Sequence, residues 1–201
     1  MEKRDKAVHI TLLAPAVNAA LRQVRFDDAP PDAAAVRRVR AAGGAVPRHD
    51  VMFTAPSARC RGTAQALALD AAVAPELRDL DVGRWRGRSL DEVGREAPEE
   101  VAAWLSDPAA APHGGESLLR LIERTGAWLE SGAGQDSGAG GDVRVLAVAD
   151  PAVIRAALVH ALDLPPRTFW RLDVAPLAAT ELSGRSGRWN LRCGQPLTAP
   201  E

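Results

Sequence analysis

Two apolar segments of strand length end in residues of very different chemical capacity. The run Val8–Leu13 leads into Ala14-Pro15-Ala16, and the run Val143–Val148 leads into Ala149, Asp150 and Pro151. Nucleophilic catalysis needs an unprotonated, correctly oriented side-chain atom, and proline has neither such an atom nor a backbone N–H for an oxyanion. The first strand end therefore excludes an attacking group at Pro15, whereas the second offers a carboxylate.

Asp150 has two roles that the sequence leaves open. Aspartate followed by proline is typical of a helix start, in which the carboxylate accepts a backbone N–H of the helix that begins at Pro151. A carboxylate at a strand end can also accept a proton or bind an amine. It repels a phosphate or sulfate within a few ångströms. Capping and ligand contact are compatible at this one position.

Three further segments lie between or beside these strand ends. They are 55–64 (APSARCRGTA), 77–87 (LRDLDVGRWRG) and 114–117 (GGES). In this order and spacing they resemble the histidine phosphatase (phosphoglycerate mutase-like) superfamily, over roughly residues 8 to 191. The resemblance implies an α/β fold with three layers, α/β/α, in which helices flank a mainly parallel sheet.

The resemblance also implies that the usual chemistry is lost. In that family the first strand ends in Arg-His-Gly, whose histidine attacks phosphorus, and this chain has Ala14, Pro15 and Ala16 there. A second family histidine helps to bind the transferred group, and Asp150 stands in its place. The chain is therefore expected to form no phosphohistidine.

Two other residues match family positions that bind or protonate the substrate. Arg59 matches a phosphate-binding arginine, and arginine suits oxyanions well. Asp79 stands where the mutase branch carries a glutamate that acts as general acid. It could protonate a leaving oxygen if partial burial raised its pKa, or it could be a turn residue that bonds the backbone before Gly83. Asp79 and Asp150 are the predicted catalytic residues.

Further contacts to an anionic ligand are predicted at Arg22, Arg25 and His113. The two arginines follow the first strand, where family members place substrate contacts, and they could replace lost positive charge. His113 lies on the loop that lines the substrate mouth in the family, and an imidazole titrates near neutrality, although a lone loop histidine is also compatible with a purely structural role. The tryptophans are predicted to pack in the core or at the rim, because they are widely separated in sequence: Trp85, Trp104, Trp128, Trp170 and Trp189.

Three classes of function follow from these assignments. The main expectation is a non-hydrolytic lyase or cyclase that binds a phosphate or sulfate ester. In it Arg59 stabilises the departing oxyanion, Asp150 acts as base, and the substrate's own nucleophile or carbanion displaces the group. The first alternative is a catalytically inactive pseudophosphatase that binds a ligand or a partner enzyme. The second is a residual phosphatase with a rearranged site, using His113.

The composition and net charge of the chain limit the classes of molecule that it is expected to bind. The chain has 201 residues, 46% of them hydrophobic, which is enough for one domain with a substantial core, and its net charge of −1 favours neither nucleic acid nor an anionic membrane. Cys60 and Cys193 show no metal-ligand spacing, so no metal, cofactor or disulfide is expected. The charged N-terminus and the lack of a membrane-spanning run predict a cytoplasmic protein. An anionic small molecule is the expected partner, with a partner enzyme or a homodimer as further candidates.

Strand and helix patterns alternate along the chain, which favours a mainly parallel sheet. Strands are predicted near 7–14, 51–54, 143–149, 178–183 and 188–193. Helices are predicted near 32–43, 58–68, 89–95, 98–106, 116–131, 151–162 and 166–171. The glycine-rich segment 131–141 is predicted to be a surface linker inside a single domain over residues 1–201.

Overall fold

A mixed sheet flanked by helices organises the chain. The computed structural model describes residues 7–41, 43, 46, 48–131, 142–185 and 187–193. Within them, the strands are β1 (Val8–Leu13), β2 (Val51–Thr54), β3 (Ala72–Val73), β4 (Val143–Val148), β5 (Ala179–Arg185) and β6 (Arg188–Arg192). The sheet order is β3-β2-β4-β1-β5-β6. Strands β3, β2, β4 and β1 run parallel, and β5 and β6 are antiparallel, so the predicted α/β architecture is confirmed.

The helices follow the predicted segments with their ends shifted by at most two residues. They are α1 (Ala19–Arg22), α2 (Ala33–Ala41), α3 (Ala58–Ala66), α4 (Leu90–Glu96), α5 (Pro98–Ser106), α6 (Leu118–Glu130) and α7 (Pro151–Ala161). Segment 166–171, predicted as an α-helix, is a 3₁₀ helix, and two more 3₁₀ turns lie at Pro75–Leu77 and Gly83–Trp85. The short elements α1 and β3 escaped prediction because four and two residues show no periodicity.

The centre of the sheet determines where a site can form. In β4, Leu146, Ala147 and Val148 are all buried, which is typical of a parallel strand covered on both faces. Leu13 of β1 and Thr54 of β2 both lie opposite Val148. Three parallel strands therefore end at the same edge, where ligands bind in open α/β sheets.

Three expectations concern other parts of the chain. Residues 132–141, most of the predicted linker, lie outside the described residues. Cys60 and Cys193 are free thiols. No helix within the described ranges is both long enough and apolar enough to cross a bilayer.

The close packing of α6 on α7 yields a test of the fold. A methyl group at Gly126 would lie 2.3 Å from Nδ1 of His160, whose ring is held by Glu130 at 3.1 Å. We expect Gly126→Ala to lower the free energy of unfolding by about 1 kcal/mol or more, because overpacking of about 1–3 kcal/mol exceeds the gain in helix propensity. Denaturant unfolding measures the difference.

Gly94 of α4 is the matched control, since a methyl group there meets nothing within 4 Å. Gly94→Ala should leave stability unchanged or raise it by up to about 1 kcal/mol. Equal stability of the two variants would contradict the described helix contact.

Candidate ligand-binding cleft

A cleft of about 730 Å³ lies at the sheet edge where the parallel strands end. The start of α3 contributes Ser57 and Arg59 to its lining, and the start of α7 contributes Pro151 and Arg155. Segments 24–28 and 78–82 supply further lining residues, among them charged and apolar side chains. The cleft therefore joins the strand ends to a large apolar surface, as small-molecule sites do.

Arg59 is held between two carboxylates. Its Nε donates a short hydrogen bond to Oδ1 of Asp150, and its Nη2 donates to Oδ2 of Asp79 at 2.5 Å. Burial by itself lowers the pKa of Arg59, but the two carboxylates outweigh it and raise the pKa above its usual value. The guanidinium stays charged, and its charge is already matched by carboxylates of the chain.

Asp150 occupies the first position before α7, as predicted, but makes no capping hydrogen bond there. Its Oδ1 accepts from Arg59, from Oγ of Ser57 at 3.2 Å and from Sγ of Cys60 at 3.4 Å. The capping prediction is wrong because a hydrogen bond from a guanidinium is stronger than one from a neutral backbone N–H. Asp150 is fully buried and lies behind the cleft lining, so a ligand does not reach it.

Asp79 is the carboxylate that a ligand can reach. Its side chain is 37% exposed and lines the cleft, whereas that of Asp150 is 0% exposed. Loss of hydration in the cleft raises the pKa of Asp79 to about 7, the Asp150 carboxylate adds to this, and Arg59 opposes it. Of the two predicted catalytic residues, Asp79 is therefore the one that lines the cleft. Its pKa of about 7 allows it to gain or lose a proton near neutral pH.

Asp28 is a site residue that sequence reasoning missed. Its two carboxylate oxygens accept the backbone N–H of Ala58 at 3.0 and 2.8 Å, and Oδ1 lies 3.4 Å from the N–H of Arg59. Helix N-termini bind anions, and here a carboxylate of the chain occupies the start of α3. No local pattern marks it, because Asp28 is about thirty residues away in sequence.

Pro15 and the four histidines lie away from the cleft lining. Pro15 is buried after β1, and Ala14 and Ala16 on either side donate their N–H groups to Ala178 and Thr63. All four histidines fall within the described residues, and none lines the cleft: His9, His49, His113 and His160.

The placement of His113 corrects its predicted role as a ligand contact. The ring is 1% exposed, and its centroid lies 5.0 Å from that of Trp85 and 6.2 Å from that of Trp104. Nδ1 accepts the N–H of Gly115 at 3.0 Å, and burial lowers the pKa of the ring. His113 is therefore a neutral packing residue.

The two arginines predicted after the first strand are separated. Arg22 pairs with Asp32 at 2.7 Å and lines a different cavity, of about 240 Å³. Arg25 lines the large cleft, donates to the carbonyl of Gly87 and lies 3.7 Å from Glu92. Only Arg25 of this pair can contact a ligand in the cleft.

Aromatic residues distant in sequence meet on one wall. The ring centroids of Trp104 and Trp170 are 4.6 Å apart, and Phe26 lies 5.9 Å from Trp104. These three and Phe169 line the cleft. The tryptophans pack in or against the core, as predicted, and tertiary packing of α5 and the 3₁₀ helix also brings Trp104 and Trp170 together on the cleft wall.

Comparison with known proteins identifies the family. The model of the histidine phosphatase superfamily (branch 1) matches residues 16–194. The chain belongs to this superfamily. Its α/β fold with a mixed sheet is the fold of the solved histidine phosphatases described below.

Relatives of this histidine phosphatase family member whose names state an activity are phosphatases. Glucosyl-3-phosphoglycerate phosphatase of Mycobacterium tuberculosis is 30% identical over 128 residues, which cover 57% of this chain and 57% of that protein. A protein of the same organism named Bifunctional protein Rv2228c is 32% identical over 154 residues. That match covers 72% of this chain but 41% of the relative, so the chain spans about two fifths of that relative's length.

Solved structures share the fold. Mycobacterial glucosyl-3-phosphoglycerate phosphatase has a TM-score of 0.79 at 23% identity, covering 92% of this chain and 97% of that chain. A phosphoserine phosphatase mutant of Entamoeba histolytica, in complex with phosphoserine, has a TM-score of 0.80 at 14% identity, with 92% and 95% covered. The expectation of a non-hydrolytic lyase or cyclase is wrong, because the relatives with a named activity are phosphatases.

The carboxylates around Arg59 yield a test of the site. Asp150→Asn removes the negative charge that helps to raise the pKa of Asp79, so we expect that pKa to fall below about 7. Carboxyl-carbon NMR of labelled aspartate, recorded from pH 4 to 9, measures the titration directly. Asp163→Asn, two residues beyond the end of α7, is the control that should leave it unchanged. An unaltered Asp79 titration in Asp150→Asn would contradict the described contact.

Proposed function

We propose that this histidine phosphatase family member binds a small molecule in its cleft without hydrolysing phosphate esters. The observation that carries the proposal is the placement of Arg59 between Asp79 and Asp150, with Asp28 on the N-terminus of α3. A phosphoryl oxygen would need the guanidinium of Arg59 and the N–H groups at the start of α3. Both are already hydrogen-bonded to carboxylates of the chain.

Electrostatics supports this proposal. Two like charges about 4 Å apart repel by about 4 kcal/mol at an effective dielectric constant near 20. A phosphate dianion beside Arg59 would meet the carboxylates of Asp79 and Asp28 as well as the guanidinium. Displacing Asp79 from Arg59 would also require its rehydration or protonation. Phosphate binding at Arg59 is therefore expected to be weak.

The chain also offers a poor nucleophile at this place. No histidine lines the cleft among the residues that the structure describes. The Cys60 thiol is buried, and burial together with Asp150 raises its pKa well above the usual value. Thiolate is the reactive form of cysteine, so Cys60 is inert at neutral pH.

A residual phosphatase is the second candidate, and Ser57 favours it. The Ser57 hydroxyl lines the cleft and donates to Asp150 at 3.2 Å, which is the pairing of a nucleophile with a base. Asp79, with a pKa of about 7, could then protonate the leaving group. Against it, Oδ1 of Asp150 already accepts the hydrogen bond of the Arg59 guanidinium, and the carboxylate lies behind the cleft lining. The phosphatase names of the relatives also support this candidate.

The test compares hydrolysis by the wild type with hydrolysis by a restored site. We expect the wild type to turn over p-nitrophenyl phosphate and phosphoserine at the background rate and to form no acid-labile phosphoprotein. The variant with Ala14→Arg, Pro15→His, Ala16→Gly and Asp150→His supplies the missing groups, and adding Asp28→Asn removes the carboxylate from α3. We expect kcat/KM to rise above background in the five-residue variant.

Controls make the comparison specific. Asp27→Asn in place of Asp28→Asn removes one neighbouring charge without freeing the α3 N-terminus, and it should give a smaller gain. Circular dichroism confirms that each variant is folded. Wild-type hydrolysis above background that disappears in Ser57→Ala would establish the residual phosphatase and overturn the binding proposal.

A further inference from the structure

The charges around Arg59 do not balance. Asp79 and Asp150 supply two carboxylates to the guanidinium of Arg59, and the exposed Asp28 adds a third carboxylate beside them at the start of α3. Asp150 and Asp28 both disfavour a negative charge on Asp79. Charges withdrawn from water are costly unless paired. A proton on Asp79 relieves part of this excess, and a bound cation would relieve it more completely.

The other arginines of the cleft do not supply that cation. Arg25, Arg78 and Arg86 each pair with a carboxylate outside this group, at 3.7, 3.4 and 2.9 Å. The guanidinium carbon of Arg155 lies 5.7 Å above the ring of Phe169. In the described part of the chain, none of these four contacts Asp28 or Asp79.

Unpartnered polar atoms mark the same region independently of the charge count. Nε1 of Trp104 and Nε of Arg155, both in residues that line the cleft, are buried and donate no hydrogen bond, and Oδ2 of Asp150 behind the lining accepts none. Asp150 and Trp104 are 0% and 6% exposed. Buried polar groups are almost always hydrogen-bonded, so these two N–H groups of the cleft residues lack the acceptor that a bound ligand would supply.

The remaining wall is apolar and aromatic. Trp104, Trp170 and Phe26 line it, and the exposed side chains of Val24 and Leu105 extend it toward solvent. Aromatic faces attract cations, and the cleft volume of about 730 Å³ is in the range of small-molecule sites. The wall suits an organic group that adjoins a positive charge.

We infer that the cleft binds an organic amine, whose ammonium group is received by Asp79 and Asp28 and whose apolar or aromatic body packs on Trp104 and Trp170. The inference rests on the proposed function, since it names the class of ligand for that cleft. It requires no covalent step. It reverses the charge of the ligand expected from the sequence, which was an anion.

Binding of an amine should depend on pH through Asp79. The free carboxyl, with a pKa of about 7, must ionise to receive an ammonium group, so binding displaces a proton below that pH. The groups that face Asp79 are Arg59, Asp150 and Asp28. The other charged groups of the cleft are Arg25, Asp27, Arg78, Asp81, Arg86 and Arg155. Affinity should be highest above pH 8 and fall about tenfold between pH 8 and pH 6.

The experiment is calorimetric titration of the full chain with three aromatic probes: 2-phenylethylamine, 2-phenylethanol of the same skeleton, and phenyl phosphate. We expect saturable binding of the amine at pH 8, at least about tenfold tighter than that of the alcohol, as a charge-assisted hydrogen bond provides. At pH 6, titrations in buffers of different ionisation enthalpy should report the release of a proton by the wild type.

Two substitutions test whether the ammonium group contacts Asp79. Asp79→Asn should weaken amine binding about tenfold or more at pH 8 and abolish its pH dependence. Asp27→Asn removes an equal charge from the same cleft and should change affinity less than about twofold. The proton release of the wild type tests the same contact without any substitution.

The outcomes separate the two proposals. Equal binding of amine and alcohol, or no saturable binding of the amine, would overturn the amine assignment. Tighter binding of phenyl phosphate without its hydrolysis would also overturn it and leave the proposed function intact. Hydrolysis of phenyl phosphate would overturn the proposed function itself.

Discussion

The contact of Arg59 with Asp150 and Asp79 is the interaction on which the rest of the site depends. It ties the start of α3 to the end of β4 and to the loop after β3, three segments that only the fold brings together. A buried ion pair is costly to break because each partner would be left unpaired. The contact therefore fixes the shape of the cleft floor, and it pairs the positive charge of Arg59 with carboxylates of the chain.

This arrangement explains how a phosphatase fold can present a site of altered preference. The sheet still ends β1, β2 and β4 at one edge, so the cleft persists. The chemistry at that edge depends on the side chains and not on the fold. Pro15 follows β1 and two carboxylates of the chain hold Arg59, so we propose that the same frame favours a cation, although the relatives with a named activity are phosphatases.

Much of the fold could be predicted from the sequence, because β1, β4 and the helices carry strong apolar patterns and clear start signals such as Asp150-Pro151. The roles of individual residues were harder to predict. The sequence placed Arg59 at the site but did not identify its hydrogen-bond partners. Asp28 and Asp79 are separated from Arg59 by 31 and 20 positions in sequence. His113 was misassigned because the burial of a loop residue depends on the distant Trp85 and Trp104, and long-range packing leaves no local signal.

The central claim is that Arg59 is not available to an oxyanion. It is tested most directly by following the Nε–H resonance of Arg59 in nitrogen-edited NMR spectra during titration with inorganic phosphate and with vanadate, between pH 6 and pH 8. We expect the resonance to stay at the position set by its bond to Asp150, with no saturable shift at millimolar anion. A saturating shift at submillimolar anion would contradict it, because Arg59 would then have exchanged its carboxylate partners for the added anion.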